Sequence, residues 1–299
     1  MVNLNHGVAR YSDLLRIGLS RAKVDALRSV GRLRRLRRGW YADSTARPDV
    51  VRAVRAGGTL SCLSALRHHG VWVPPDARLH IRMSEHHQAR RSLPGSVHIC
   101  PLPIRKAPTE AVDSLPTAIR AALRCLNEEG IVVILDSILN RRLLRRDQLA
   151  DILSSAPARV RRLLAETDEQ AQSGTESMAR FRLRRLGMKV QSQVFVEGVG
   201  RVDLLVGERL VLELDSREHH SGAVAYTTDR RRDLVLVTGD KLVLRLTYEQ
   251  TVDTWPDTLM HLRKLTRARS HRARRTRASP GVRQKPSGIP ARDSPMGTS

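Results

Sequence analysis

Apolar and polar positions along the chain switch between helical and strand-like periods. Tyr11–Ile17 predicts a short helix that Gly18 ends. After Ser20, a good N-cap, Val24, Leu27 and Val30 recur at helical spacing up to Gly31. Leu33, Leu36 and the Trp40-Tyr41 pair then anchor an arginine-rich, β-like stretch. Ser61–His69 predicts a helix capped near Ser61 and ended by Gly70, and strand-like pieces follow at Leu79–Met83 and Val97–Cys100. Pro116–Glu129, Ile131–Leu139, Arg146–Ser154 and Pro157–Gln170 predict helices. From Thr175 the pattern changes again: Glu176–Leu186 is amphipathic, Lys189–Val196 reads as a strand, and two more strands surround Asp203 and Glu213. A helix over 223–237, a strand over 241–247 and a helix over 255–269 follow. The tail from Ser270, rich in Arg, Pro, Ser and Gly, is expected to be disordered.

The two strands around the acids can be tested for parity. RVDLLV (201–206) and LVLELD (210–215) flank Gly207-Glu208-Arg209, a three-residue hairpin loop of a common type. That loop pairs Val206 with Leu210 and sets Asp203 opposite Glu213. Val202, Leu204, Val206, Leu210, Leu212 and Leu214 then form one aliphatic face, and Asp203, Leu205, Val211, Glu213 and Asp215 form the other. A two-residue loop would separate the two acids onto opposite faces. Directly opposed carboxylates repel unless a cation or proton lies between them. Oxygen donors suit Mg²⁺ (or Mn²⁺), which can polarise a phosphate and activate water. The competing reading is a pair of solvated edge carboxylates, compensated by Arg217 or Arg232.

Charge suggests what such a site would meet. The 299 residues carry a formal net charge of +23, and the excess sits at the ends. Residues 1–41 hold ten Lys/Arg against two acids, and residues 263–299 hold eleven against one. Basic ends around a nearly balanced middle fit a phosphate backbone as partner, in particular double-stranded DNA. Three widely spaced cysteines, Cys62, Cys100 and Cys125, form no CxxC and no Cys/His ligand pair. They read as buried thiols of a reducing, cytoplasmic compartment. The apolar run at 131–135 is too short to span a membrane, and the N-terminus lacks a signal peptide's apolar core. The His68-His69 pair has a metal-ligand look, but adjacent helical residues point apart, which favours packing roles.

Helix, short turn, helix and basic hairpin is the order of a winged helix-turn-helix. On that reading the helix over 20–29 enters the major groove and exposes Arg21, Lys23 and Arg28. Arg34, Arg35, Arg37 and Arg38 lie on the wing near phosphates. The bland alternative is a small packing unit with an arginine-rich surface. GLSRAKVDAL and GRLRRLRRGWYA resemble the winged-helix domain of abortive-infection type IV antitoxins. LSCLSALRHHGV (60–71) resembles the start of the next domain of that family.

Glu176 on a helix, then Asp203, then Glu213-Leu214-Asp215 resembles the PD-(D/E)xK nuclease pattern. The histidines His219 and His220 and the Asp229–Asp233 cluster are similar to the very-short-patch-repair branch of that family. The resemblance covers about residues 174–265. It implies that Asp203 and Glu213 ligate the metal and that Glu176 orients or completes the site. It further implies that His219 or His220 acts as acid/base or positions water, and that Arg232 contacts phosphate or braces the acids. Asp215 stands where the pattern has lysine, so either a histidine takes that role or the site is inactive.

The expected architecture is multidomain α/β. Residues 1–45 form a winged helix-turn-helix, 46–110 an antitoxin-like mixed α/β segment and 111–173 a helical connector. Residues 174–269 form a restriction-endonuclease-like α/β/α domain, and 270–299 a basic tail. Two functions follow from these readings: a DNA-binding, metal-dependent endonuclease, or an antitoxin-like repressor whose nuclease fold is degenerate. The repressor reading implies a cognate toxin-like protein as partner.

Overall fold

The computed structural model describes residues 4–89, 92–102, 108–215 and 241–267. The sites expected at His219, His220, Arg232 and Asp229–Asp233, the helix over 223–237 and the tail from Ser270 lie outside the described residues. The protein is mixed α/β with several sheets. No helix among the described residues is long and apolar enough to cross a membrane.

The chain opens with β1 (Val8–Arg10), α1 (Tyr11–Arg16), α2 (Arg21–Ser29), β2 (Arg34–Arg37) and β3 (Trp40–Ala42). The three strands form an antiparallel sheet in the order β1-β3-β2. Gly18, at φ +92, closes α1: its N–H reaches Leu15 O and the Leu19 N–H reaches Leu14 O. That is the left-handed termination only glycine adopts without cost. Ser20 Oγ accepts from the Lys23 N–H at 3.2 Å, so α2 starts at the expected cap. Val24, Leu14, Leu33 and Tyr41 form a small core. Val30 departs from the expected helical stripe: it is the C-cap residue and is 67% exposed. In β3 the period of two sends Tyr41 into this small core and Trp40 and Ala42 into the next one.

Around that next core lie α3 (Pro48–Arg55), β4 (Thr59–Leu60), α4 (Cys62–His68), β5 (Leu79–Arg82), α5 (Glu85–Gln88) and β6 (Val97–Ile99). It continues through α6 (Leu115–Cys125), α7 (Glu128–Asn140), α8 (Arg146–Leu153) and α9 (Ala158–Arg162). One hydrophobic cluster runs from Val50 to Leu163 across these elements except α5, which buries no residue, so the two middle segments share a core. The break between α6 and α7 falls earlier than the sequence pattern suggests. Asn127 Oδ1 caps α7 by accepting from the Gly130 N–H at 2.8 Å, and Gly130 lies inside the helix. The helix expected over Pro157–Gln170 is only α9 plus a 3-10 turn at Leu163–Glu166.

The last part comprises α10 (Gly174–Arg185), β7 (Val190–Val196), β8 (Gly200–Val206), β9 (Leu210–Leu214), β10 (Leu242–Leu246), α11 (Tyr248–Val252) and α12 (Trp255–Arg267). Its sheet runs β10-β9-β8-β7, with β7, β8 and β9 antiparallel and β10 parallel to β9. The hairpin register is the one the three-residue loop requires: Val206 pairs with Leu210, Leu205 with Val211 and Leu204 with Leu212. Leu204, Val206, Leu210, Leu212 and Leu214 face Ala179 and Leu183 of α10 and Leu262 of α12. Val202 is a correction to the expected aliphatic face. It packs instead with Leu205 and Val211 on the opposite side of the sheet.

Candidate functional site

The switch of Val202 to the other face has a local cause. Pairing of β8 with β7 skips Gln193 and Asp203, and pairing of β8 with β9 stops at Leu204 and Leu212. Asp203 therefore stands at a gap in both ladders. Gln193 has φ +51, the left-handed region, and its side chain is buried. A non-glycine residue held there costs about 1–3 kcal/mol and persists only where its surroundings fix it. Here the fixing contacts are polar. Gln193 Nε2 donates to Glu176 Oε2 at 2.9 Å and, more weakly, to Asp203 Oδ1 at 3.4 Å. The other oxygen, Asp203 Oδ2, accepts from the Leu214 N–H at 2.8 Å, standing in for a ladder carbonyl.

Glu176 reaches this point from α10. Ser173 Oγ caps the helix by accepting from the Glu176 N–H at 3.1 Å, and Glu176 Oε2 also accepts from the Gln172 N–H at 3.0 Å. The start of α10 is seated against Trp72, whose ring leaves no space for a Cβ at Gly174 (1.9 Å to the nearest ring carbon). Burial, and then the negative charge of Asp203, push the Glu176 carboxyl up to about 7. Glu176, Gln193 and Asp203 thus form a connected acidic cluster on the sheet. Glu213 is half-buried one strand further on and is the register partner of Arg245. Asp215 is exposed, and its N–H donates to Leu246 O at 3.0 Å. Gln193 gave no signal in the sequence, because a glutamine inside a strand is ordinary and its backbone angle is set by the fold.

The second region is the N-terminal basic surface. Arg21 and Lys23 are exposed on α2. Arg28 is exposed too, pairing with Asp25 at 3.0 Å and lying 5.9 Å from the Tyr41 ring centre. Arg34, Arg35 and Arg38 are exposed on the hairpin, whereas Arg37 is half-buried with its guanidinium over Trp40 at 5.3 Å. The hairpin carries an irregularity between Arg35 and Arg37 that turns Leu36 inward against the larger core.

The third region corrects the reading of the cysteines as separate buried thiols. Cys62, Cys100 and Cys125 converge with His80, their ligand atoms all within 4.8 Å of one another. No short spacing announces this, because each comes from a different place: the start of α4, strand β5, the residue after β6 and the end of α6. The His68-His69 pair does have the packing roles expected. His68 Nε2 lies 2.7 Å from Asp49 Oδ2, and His69 Nε2 lies 2.8 Å from Asp113 O.

Residues 3–42 match the family described as transcriptional regulator, AbiEi antitoxin. The match spans β1, α1, α2, β2 and β3, so the N-terminal part of the chain is antitoxin-like. No curated protein matches the chain.

Proposed function

We propose that the protein is a DNA-binding regulator of the antitoxin type, reading duplex DNA through α2 and the β2–β3 hairpin. The carrying observation is that the residues matching the regulator family fold as helix, turn, helix and hairpin with Arg21, Lys23, Arg34, Arg35 and Arg38 in solvent. A helix N-terminus in the major groove brings Arg21 and Lys23 to base edges and phosphates, and hairpin arginines hold the backbone. The partner implied beside DNA is a cognate toxin-like protein. Fluorescence anisotropy on the duplex upstream of its own gene tests the proposal. The Arg21→Ala/Lys23→Ala variant should bind that duplex at least about tenfold more weakly, consistent with about 1–3 kcal/mol per base-contacting side chain. Equal affinity of the parent for that duplex and for an unrelated one would sink the regulator reading.

The Glu176–Gln193–Asp203 cluster favours a second reading, a PD-(D/E)xK-like endonuclease domain acting on the DNA that the N-terminal unit binds. Three features support it: a helix bearing Glu176, a β7–β8–β9 meander, and β10 parallel to β9. The donor set fits a hard divalent ion such as Mg²⁺ or Mn²⁺, since every acid offers carboxylate oxygen. Asp203 and Glu213 would hold that ion and Glu176 would complete its surroundings. When bound, the ion would supply phosphate polarisation and a more acidic water. His219 or His220 would move the proton, Arg232 would hold phosphate, and Asp215 replaces the pattern's lysine. Nicking of supercoiled plasmid with Mn²⁺, abolished in Asp203→Ala and Glu213→Ala, is the expected result. Undiminished nicking by both variants would remove the acids from the chemistry, and no nicking with any divalent ion would leave the fold as a degenerate part of a repressor.

A further inference from the structure

We propose that Cys62, His80, Cys100 and Cys125 form a structural zinc site that ties together the middle of the protein. The four donors are a Cys₃His set, one of the combinations that close a tetrahedral zinc site without an open position. Cys62, His80 and Cys100 are buried and Cys125 is half-buried. Their ligand atoms lie within 4.8 Å of one another, and Cys100 Sγ is 4.0 Å from His80 Nδ1. A tetrahedron with Zn–S of about 2.3 Å has edges of about 3.8 Å, so closing the cluster needs shifts of under about 1 Å.

Three buried thiols can also be small hydrophobic fillers. The surroundings of this cluster argue for more than packing. The His80 ring turns Nδ1 towards the sulfurs, while Nε2 lies 3.1 Å from Asp76 Oδ2, close but without hydrogen-bond alignment. A carboxylate behind the far nitrogen is the outer arrangement that orients metal-binding histidines. Asp76 is itself fixed by Arg78 at 2.7 Å. The His98 ring lies tilted by 47° against His80 with ring centres 4.6 Å apart, and its Nε2 is buried with no hydrogen-bond partner. Cys62 has φ +48, a left-handed conformation for a residue with a side chain. Such strain is kept where the position of the side chain matters.

A disulfide does not satisfy the same set. Two sulfurs would bond and leave the third thiol and the imidazole facing them, whereas one divalent ion uses all four. Zinc binding releases three thiol protons to solvent and takes His80 as neutral imidazole, leaving a net charge of −1 at the centre. The site joins α4, β5, the end of β6 and α6, so the ion would clamp the three-stranded sheet β4-β5-β6 to the helical layer. Sites of this kind couple metal binding to folding.

Metal analysis of the full chain, produced in zinc-supplemented medium without a histidine tag, tests the proposal. The expected content is about one zinc per chain, released in full by an organomercurial that titrates the thiols. Exchange for Co²⁺ should give thiolate-to-cobalt charge-transfer bands and the intense visible bands of a tetrahedral centre. Cys100→Ser and His80→Ala should each lower the zinc content by half or more. Because these core variants can fail to fold, the unmodified protein provides the decisive readout. If it is folded, holds no zinc and gives no tetrahedral Co²⁺ spectrum, the proposal is overturned. Iron with acid-labile sulfide in place of zinc would also overturn it.

Discussion

Glu176 lies 3% exposed at the start of α10, in the field of Asp203, with its carboxyl pushed from 4.5 to about 7. The folded protein therefore binds more protons at this group than the unfolded chain between those two values. Stability contributed by protonated Glu176 is complete below pH 4.5 and is lost as pH rises through about 7, because the native state must then bury a second negative charge. A displacement of this size corresponds to about 3 kcal/mol. Glu176→Gln keeps an oxygen for the Gln172 N–H and removes the charge. Urea unfolding of both proteins from pH 4.5 to 8 should show the parent losing up to about 3 kcal/mol relative to the variant as pH rises. Parallel curves would mean that Glu176 ionises freely. Excess Mn²⁺ should flatten the parent's decline if the acids hold a cation, since the ion replaces the proton between them. The hairpin register was legible in the chain alone, because a three-residue glycine loop fixes parity; the ladder ends at Leu204 and Leu212, so the expected opposition of Asp203 and Glu213 is not among its pairs. Gln193 was not legible, because its left-handed backbone and buried amide arise only when β7 meets β8. The cysteine cluster was hidden for a similar reason. At least seventeen residues lie between successive members, and only the packing of α4, β5, β6 and α6 brings them together.

At the scale of elements, α10 organises the second half of the fold. The sequence marked it as amphipathic, yet the segment from Gly174 to Phe181 is buried all round. The reason is that α10 lies between the helical layer and the sheet. Ala179 and Leu183 face the strands, while Arg180 and Arg182 reach back to α7. Arg180 Nη2 donates to Asp136 Oδ2 at 2.6 Å and Nη1 to Glu166 O at 2.7 Å, and the Arg180 and Asp136 side chains are essentially sealed from solvent. Asp136 Oδ1 accepts from the Asp168 N–H at 2.8 Å. A charge pattern along a helix cannot reveal such a pair, because Asp136 sits in an apolar run and Arg180 among surface-like arginines. Removing one partner leaves the other charge buried, so Arg180→Met should destabilise by about 3–5 kcal/mol in urea unfolding. Arg180→Met/Asp136→Leu should recover most of that loss, since a well-packed apolar pair is often as stable as the ions. If the double variant were as unstable as the single, the pair's hydrogen bonds to Glu166 and Asp168, rather than its charge balance, would dominate.

For the whole molecule, charge distribution matters more than total charge. The ends carry most of the +23, while the acidic cluster and the cysteine cluster lie in the nearly neutral stretch between them. In the N-terminal unit the exposed cations stand on a rigid helix and hairpin, an arrangement that can give register and sequence preference. Residues 268–299 hold eight Lys/Arg and one acid in a stretch with almost no apolar anchors, a composition suited to phosphate contact without base reading. Truncation after Arg267 should therefore act differently from Arg21→Ala/Lys23→Ala. The truncated chain should bind all duplexes more weakly and show a shallower dependence of log K on log salt, by about 0.9 for each phosphate that the tail had neutralised. Its ratio of specific to unrelated DNA affinity should stay within a factor of about two, because contacts to phosphate carry no sequence information. The Arg21→Ala/Lys23→Ala variant should instead collapse that ratio and change the salt slope less. Titrations of both variants on two duplexes at several salt concentrations distinguish the roles. An unchanged slope on truncation would mean that the tail does not touch phosphate. A collapsed ratio on truncation would mean that it reads sequence and that recognition extends beyond the antitoxin-like unit.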